Sequence, residues 1–150
     1  MNQNDKKWQL YNKELLMHAQ KANWGLYRNT RFDMAEFLRK ENKLANALET
    51  FLEIMYLDLN GPENRESIIN NPELLKEFPQ FDPKTAFLAP GVIDRVKKIA
   101  KILGFQMEKI REIFTEHNKK IEKALKLSLS TEECWKLVEK ELKNCFVFAK

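Results

Sequence analysis

The chain has 150 residues, of which 43% are hydrophobic and 32% charged, a balance that excludes a disordered polymer and supplies one domain's core without disulfide or metal support. Its formal net charge is +4, and no stretch approaches the roughly 18 uncharged apolar residues that a membrane span needs. The polar, charged opening from Met1 to Trp8 does not read as a secretory signal, so a cytoplasmic protein with no membrane partner is expected.

In chain order, the first predicted helix carries Trp8, Tyr11, Leu15, His18, Ala19 and Ala22 at three- and four-residue steps and is expected to end near Asn23, with a turn at Gly25. A second runs from about Leu26 to Glu41, with Phe32, Met34, Ala35, Phe37 and Leu38 on its apolar stripe. After a polar break at Asn42, a third carries Leu44, Ala47, Leu48, Phe51, Leu52, Ile54 and Met55 and stops at Asn60, Gly61 and Pro62. Short links imply antiparallel neighbours.

All five prolines, Pro62, Pro72, Pro79, Pro83 and Pro90, fall in one window, and proline breaks helix interiors. A single helical domain is therefore expected to divide into an N-terminal lobe (1–60), a Pro-rich connector (61–90) and a C-terminal lobe (91–150). Within the connector, Asn71 before Pro72 and Asp82 before Pro83 each set an N-cap ahead of a proline, which predicts helices of one or two turns. From Pro90, Val92, Ile93, Val96, Ile99, Ala100 and Leu103 form one face, closed by Gly104 as the C-cap. Met107, Ile110, Phe114, His117, Ile121, Ala124 and Leu125 mark the next helix. Ser130 and Glu133 then form a capping box ahead of Trp135, Val138 and Leu142. No alternating strand pattern occurs, so the expected fold is an all-α bundle of five or six main helices.

The two cysteines, Cys134 and Cys145, fall in one predicted helix about 16 Å apart along its axis. A disulfide needs Cα atoms within about 7 Å, so both are expected to be small core residues. The chain ends in an apolar run from Cys145 to Ala149. Such a run either docks on the domain's own core or pairs two copies through Phe146 and Phe148. Trp8, Trp24 and Trp135 lie near predicted helix ends, where structural roles are expected, with Trp24 beside Gly25 and Tyr27 placed to staple the first hairpin.

Met34, Ala35, Leu38, Asn42, Ala47, Phe51 and the ending Leu57, Asp58, Leu59, Asn60 resemble the spacing of a tetratricopeptide repeat unit over Arg28 to Gly61. In that family small residues sit where two helices cross closely, and Ala35 and Ala47 stand at those positions. Arg31 stands where the family has an aromatic, Asn42 where it has glycine and Ile54 where it has alanine. No second copy follows at the repeat spacing, so one such hairpin within a small helical domain is expected. The resemblance implies peptide binding on a concave face formed by Asn29, Phe32, Glu36, Arg39 and Lys40. Two cations and an amide beside an aromatic suit an acidic or C-terminal peptide.

A second resemblance lies in the basic stretch 94–126, which carries ten Lys and Arg against five Asp and Glu. Ile99, Ala100, Leu103, Gly104, Phe105, Ile110 and Ile113 look like the apolar, small and turn positions of a helix-turn-helix unit. Lys97, Lys98, Lys101, Gln106, Lys109 and Arg111 would then meet nucleic acid, although Glu108 and Glu112 on the same face repel phosphates.

Chemistry has little support in the residues. His18 follows Glu14 by four, half of a metal site at best, and His117 is the second of only two histidines. Neither a glycine-rich phosphate loop nor a nucleophile elbow occurs. The leading expectation is a non-enzymatic protein-interaction or regulatory module with no cofactor and no metal. A helix-turn-helix nucleic-acid binder is the alternative, and a homodimeric structural protein the third. An excess of lysine over arginine with many asparagines suggests an AT-rich bacterial or phage genome.

Overall fold

A computed structural model describes residues 3–21, 23–60, 90–125 and 130–144. These form six α-helices and no strand: α1 (Gln3–Gln20), α2 (Trp24–Lys40), α3 (Leu44–Asn60), α4 (Pro90–Leu103), α5 (Met107–Leu125) and α6 (Thr131–Asn144). The all-α class expected from the apolar spacing is the class observed. The two short connector helices, Ala22, Cys145, the tail with Phe146 and Phe148, and the side chain of Trp24 lie outside the described residues.

Local chemistry sets the helix ends. Ser130 Oγ accepts from the Glu133 backbone N–H at 3.2 Å while the Ser130 N–H donates to Glu133 Oε1 at 3.4 Å, a reciprocal capping box that satisfies two donors at the start of α6. Gly104, at φ +71°, closes α4, with the Phe105 N–H reaching back to the Ala100 carbonyl at 2.9 Å. Asn42, at φ 62°, closes α2 in the same way through the Lys43 N–H and the Leu38 carbonyl at 2.9 Å. Asparagine tolerates this left-handed region better than most side chains.

The start of α2 corrects the sequence reading. Asn23 serves both helices, its N–H returning to the His18 carbonyl at 2.9 Å behind α1 while its side chain caps α2, accepting from the Leu26 N–H at 3.2 Å. Gly25 lies inside the first turn of α2 instead of forming the link. A capping asparagine outweighs a nearby glycine because the first helical turn has free N–H groups to satisfy.

Helix α3 is the spine. Every residue from Phe51 to Leu59 is buried, and a helix buried on all sides must be surrounded. It packs against α2, α4, α5 and α6, while α1 lies outside against α2. The single apolar stripe expected for this helix is therefore too narrow, because Tyr56, Leu57 and Leu59 are buried as well. One core cluster joins Ala35 and Leu38 of α2, Val96 and Ala100 of α4, Ile110 and Phe114 of α5, and Cys134, Val138 and Leu142 of α6 to α3. Helices from both sides of the connector thus share one interior. The Phe114 ring sits 6.2 Å from Tyr56 and 5.4 Å from Trp135, tying α3, α5 and α6 together. Burial pushes the Tyr56 phenol up to about 12.

Helix α1 has no fully buried residue. It is held through Trp8 and Tyr11, whose rings lie 5.8 and 6.1 Å from Phe37. Among the described residues, no helix is long and apolar enough to cross a membrane.

Candidate functional site

Two carboxylates lie inside the apolar spine, Glu53 at 3% exposure and Asp58 at 2%. An ionised carboxylate is costly to bury unless cations and hydrogen bonds meet it. Helix α2 supplies both cations from one face, three residues apart. Arg31 forks onto Glu53 (Nε to Oε2 2.6 Å, Nη2 to Oε1 2.8 Å). Arg28 forks onto Asp58 (Nε to Oδ1 2.8 Å, Nη2 to Oδ2 3.1 Å). Such bidentate pairs fix orientation as well as charge.

From α5, His117 Nε2 lies 2.7 Å from Glu53 Oε1. An ionised carboxylate only accepts, so Nε2 is the donor. Burial pushes the Glu53 carboxyl up, but the His117 hydrogen bond and the charge and hydrogen bonds of Arg31 outweigh it and hold the group below its ordinary value. At Asp58 burial prevails over Arg28, and the carboxyl rises. Burial, then the Glu53 charge, raises the neighbouring Tyr27 phenol. With both oxygens of Glu53 occupied, this cluster acts as a clamp linking α2, α3 and α5.

The five residues expected to bind peptide are not left open together. Phe32 is half-buried, with its ring edge-on to Phe51 at 5.9 Å and the Arg95 and Arg28 guanidinium groups 5.1 and 5.7 Å from its centroid. Glu36 is gripped by Arg39 at 2.6 Å and by Arg95 from α4. Burial raises its carboxyl, but these two guanidinium groups prevail and hold it low. Asn29, Arg39 and Lys40 remain exposed. Arg95 therefore closes the middle of the expected face, which hydropathy spacing on α2 alone does not reveal.

Among the residues expected to meet nucleic acid, Lys97 is a correction. It is only 1% exposed and faces the interior beside α6. Burial lowers its ammonium value, opposed by the charges of Glu141 and Asp94, and a group so placed reaches no phosphate. Lys98, Lys101, Gln106, Lys109 and Arg111 are exposed, with Lys98 paired to Asp94 at 2.9 Å and Lys109 to Glu112 at 3.8 Å. Helix α4 packs mainly on α3, and α5 packs on α6 and α3, whereas a helix-turn-helix unit packs its two helices on each other.

His18 is half-buried and Glu14 exposed. Among the described residues, no group of three or more His, Cys, Asp or Glu stands where it could hold a metal ion. Cys134 is fully buried.

The outer side of α1 was missed by the sequence reading. Leu10, Leu16 and Met17 are exposed at 59%, 62% and 42%. Their signal was present, because they are the large apolar residues of α1 that do not belong to its Trp8, Tyr11, Leu15 stripe. Comparison with known proteins finds no matching family model, curated protein or solved structure. The tetratricopeptide resemblance thus stands on its own residues.

Proposed function

We propose that the chain is a non-catalytic protein-interaction module that engages its partner through the N-terminal helices. One observation carries this reading. Of the five large hydrophobic side chains exposed among the described residues, Leu10, Leu16, Met17, Leu26 and Ile102, four belong to α1 and the first turn of α2. Single exposed apolar residues are ordinary, but their concentration on α1 and the first turn of α2 marks an interaction surface. The buried polar groups support the same reading, because Arg28, Arg31, Glu53, Asp58 and His117 are consumed in joining helices.

The partner is met by the outside of α1, since Arg95 occupies Phe32 and Glu36 on α2. The helix-turn-helix alternative loses Lys97 to the interior. Dimerisation through Phe146 and Phe148 concerns a segment outside the described residues.

Photo-crosslinking in the cells that make the protein tests the reading. A photoreactive residue at Met17 is expected to yield discrete adducts with another protein, and one at exposed Lys123 on α5 is not. Adducts from neither position, or equally from both, contradict it.

A further inference from the structure

We propose that the outward seam of α1 is a docking strip for an acidic amphipathic helix of a partner protein, an inference that rests on the protein-interaction reading and specifies its partner. At 100° per residue, Lys6, Leu10, Lys13, Met17 and Lys21 fall within a sector of about 80°. This sector lies opposite Trp8, Leu15 and Ala19, three of the half-buried residues of α1. All five seam residues are exposed. Lys21 continues the helical path, its N–H bonding to the Met17 carbonyl at 3.2 Å.

The seam alternates cation and apolar side chain at steps of four, three, four and four, the spacing by which one helix meets another. Of the two acids of α1, Asp5 lies about 80° beyond one edge of the seam, and exposed Glu14 borders the other, about 20° beyond Lys21, so the seam carries three cations with one acid at its margin. Lys7 is also elsewhere, its ammonium about the Tyr11 and Phe37 rings at 6.0 and 5.8 Å. A partner helix with leucines at matching steps would cover Leu10 and Met17, while its glutamates meet Lys6, Lys13 and Lys21. Lysine stems would extend the apolar cover and keep their charged ends in water.

Charge decides between occupants. A second copy laid antiparallel on the seam would place Lys13 at the two-fold axis against its own counterpart, with the remaining lysines repelling. A lipid surface needs a continuous apolar sector to enter the acyl boundary, and here lysines interrupt the apolar residues. An acidic helix satisfies both the apolar and the charged positions.

The test uses the full chain and two labelled helical peptides of about twenty residues, with leucines at matching steps and either glutamate or lysine at every flanking position. Fluorescence anisotropy is expected to show binding of the acidic peptide alone, weakening at least about tenfold as salt rises from about 0.05 to 0.5 M. Leu10→Glu with Met17→Glu should weaken it by at least about tenfold without changing the thermal midpoint, because both side chains are exposed. Equal binding of the basic peptide, unchanged affinity in the double variant, or a lowered midpoint showing that the seam is packed inside the molecule would each overturn the proposal. So would a mass increase with concentration that the double variant abolishes, or co-sedimentation with phosphatidylserine vesicles in place of peptide binding. Adducts at Met17 together with no acidic-peptide binding would keep the interaction reading and reject this one.

Discussion

Glu53 and Asp58 lie on the same buried helix, yet their carboxyls shift in opposite directions. Both lose water, which favours the neutral acid. Glu53 has a guanidinium and an imidazole against it, whereas Asp58 has one guanidinium. Since the folded value of Glu53 lies below the unfolded one, its contribution to stability is complete above the unfolded value and is lost as pH falls through the folded value. Asp58 has the opposite sign, so its ionisation weakens the fold as pH rises through its raised value. Glu53→Gln should cost about 3–5 kcal/mol at neutral pH, because Arg31 then lies against an uncharged group, and should flatten the loss of stability below about pH 4. Asp58→Asn should cost less than Glu53→Gln. Urea unfolding at neutral and acid pH checks both, and equal losses with unchanged pH slopes would refute the clamp. These pairs had a trace in the sequence, two acids inside the run from Phe51 to Leu59. Their partners lie on other helices, so spacing along one helix does not name them.

At the scale of the element, local chemistry was the most legible. The capping box at Ser130 and Glu133 and the glycine cap at Gly104 follow from residues within one turn, and both are observed. A Cβ at Gly104 would meet nothing within 4 Å, so Gly104→Ala isolates the backbone term and should cost about 1–2 kcal/mol. Asn42→Gly should act in the other direction, raising stability by up to about 1 kcal/mol, because glycine enters the left-handed region without strain. Thermal melts of the two variants read both signs, and a shift in the same direction would contradict the cap assignments. Asn23 was less legible, since Gly25 beside it carries a turn signal of its own. The breadth of α3 was misjudged for a different reason. A stripe describes a helix with a wet side, and the second half of α3 has none.

For the whole molecule, the five prolines mark where the chain cannot continue as helix, but they say nothing of how the flanks pack. Helices α4, α5 and α6 close around the spine that the N-terminal flank provides. That closure buries Lys97, occupies Glu36 through Arg95 and leaves the outside of α1 uncovered. The candidate surface is thus legible only after the packing is known. Leu52, fully buried on α3, should cost about 2–5 kcal/mol when replaced by alanine, and the loss should reach both flanks together. The most direct measurement is native-state hydrogen exchange under rising urea. With one shared interior, the slowest amides of α2 and α6 should converge on a single unfolding free energy and urea dependence, lowered equally by Leu52→Ala. Two separate isotherms, with α6 indifferent to that substitution, would contradict a common spine.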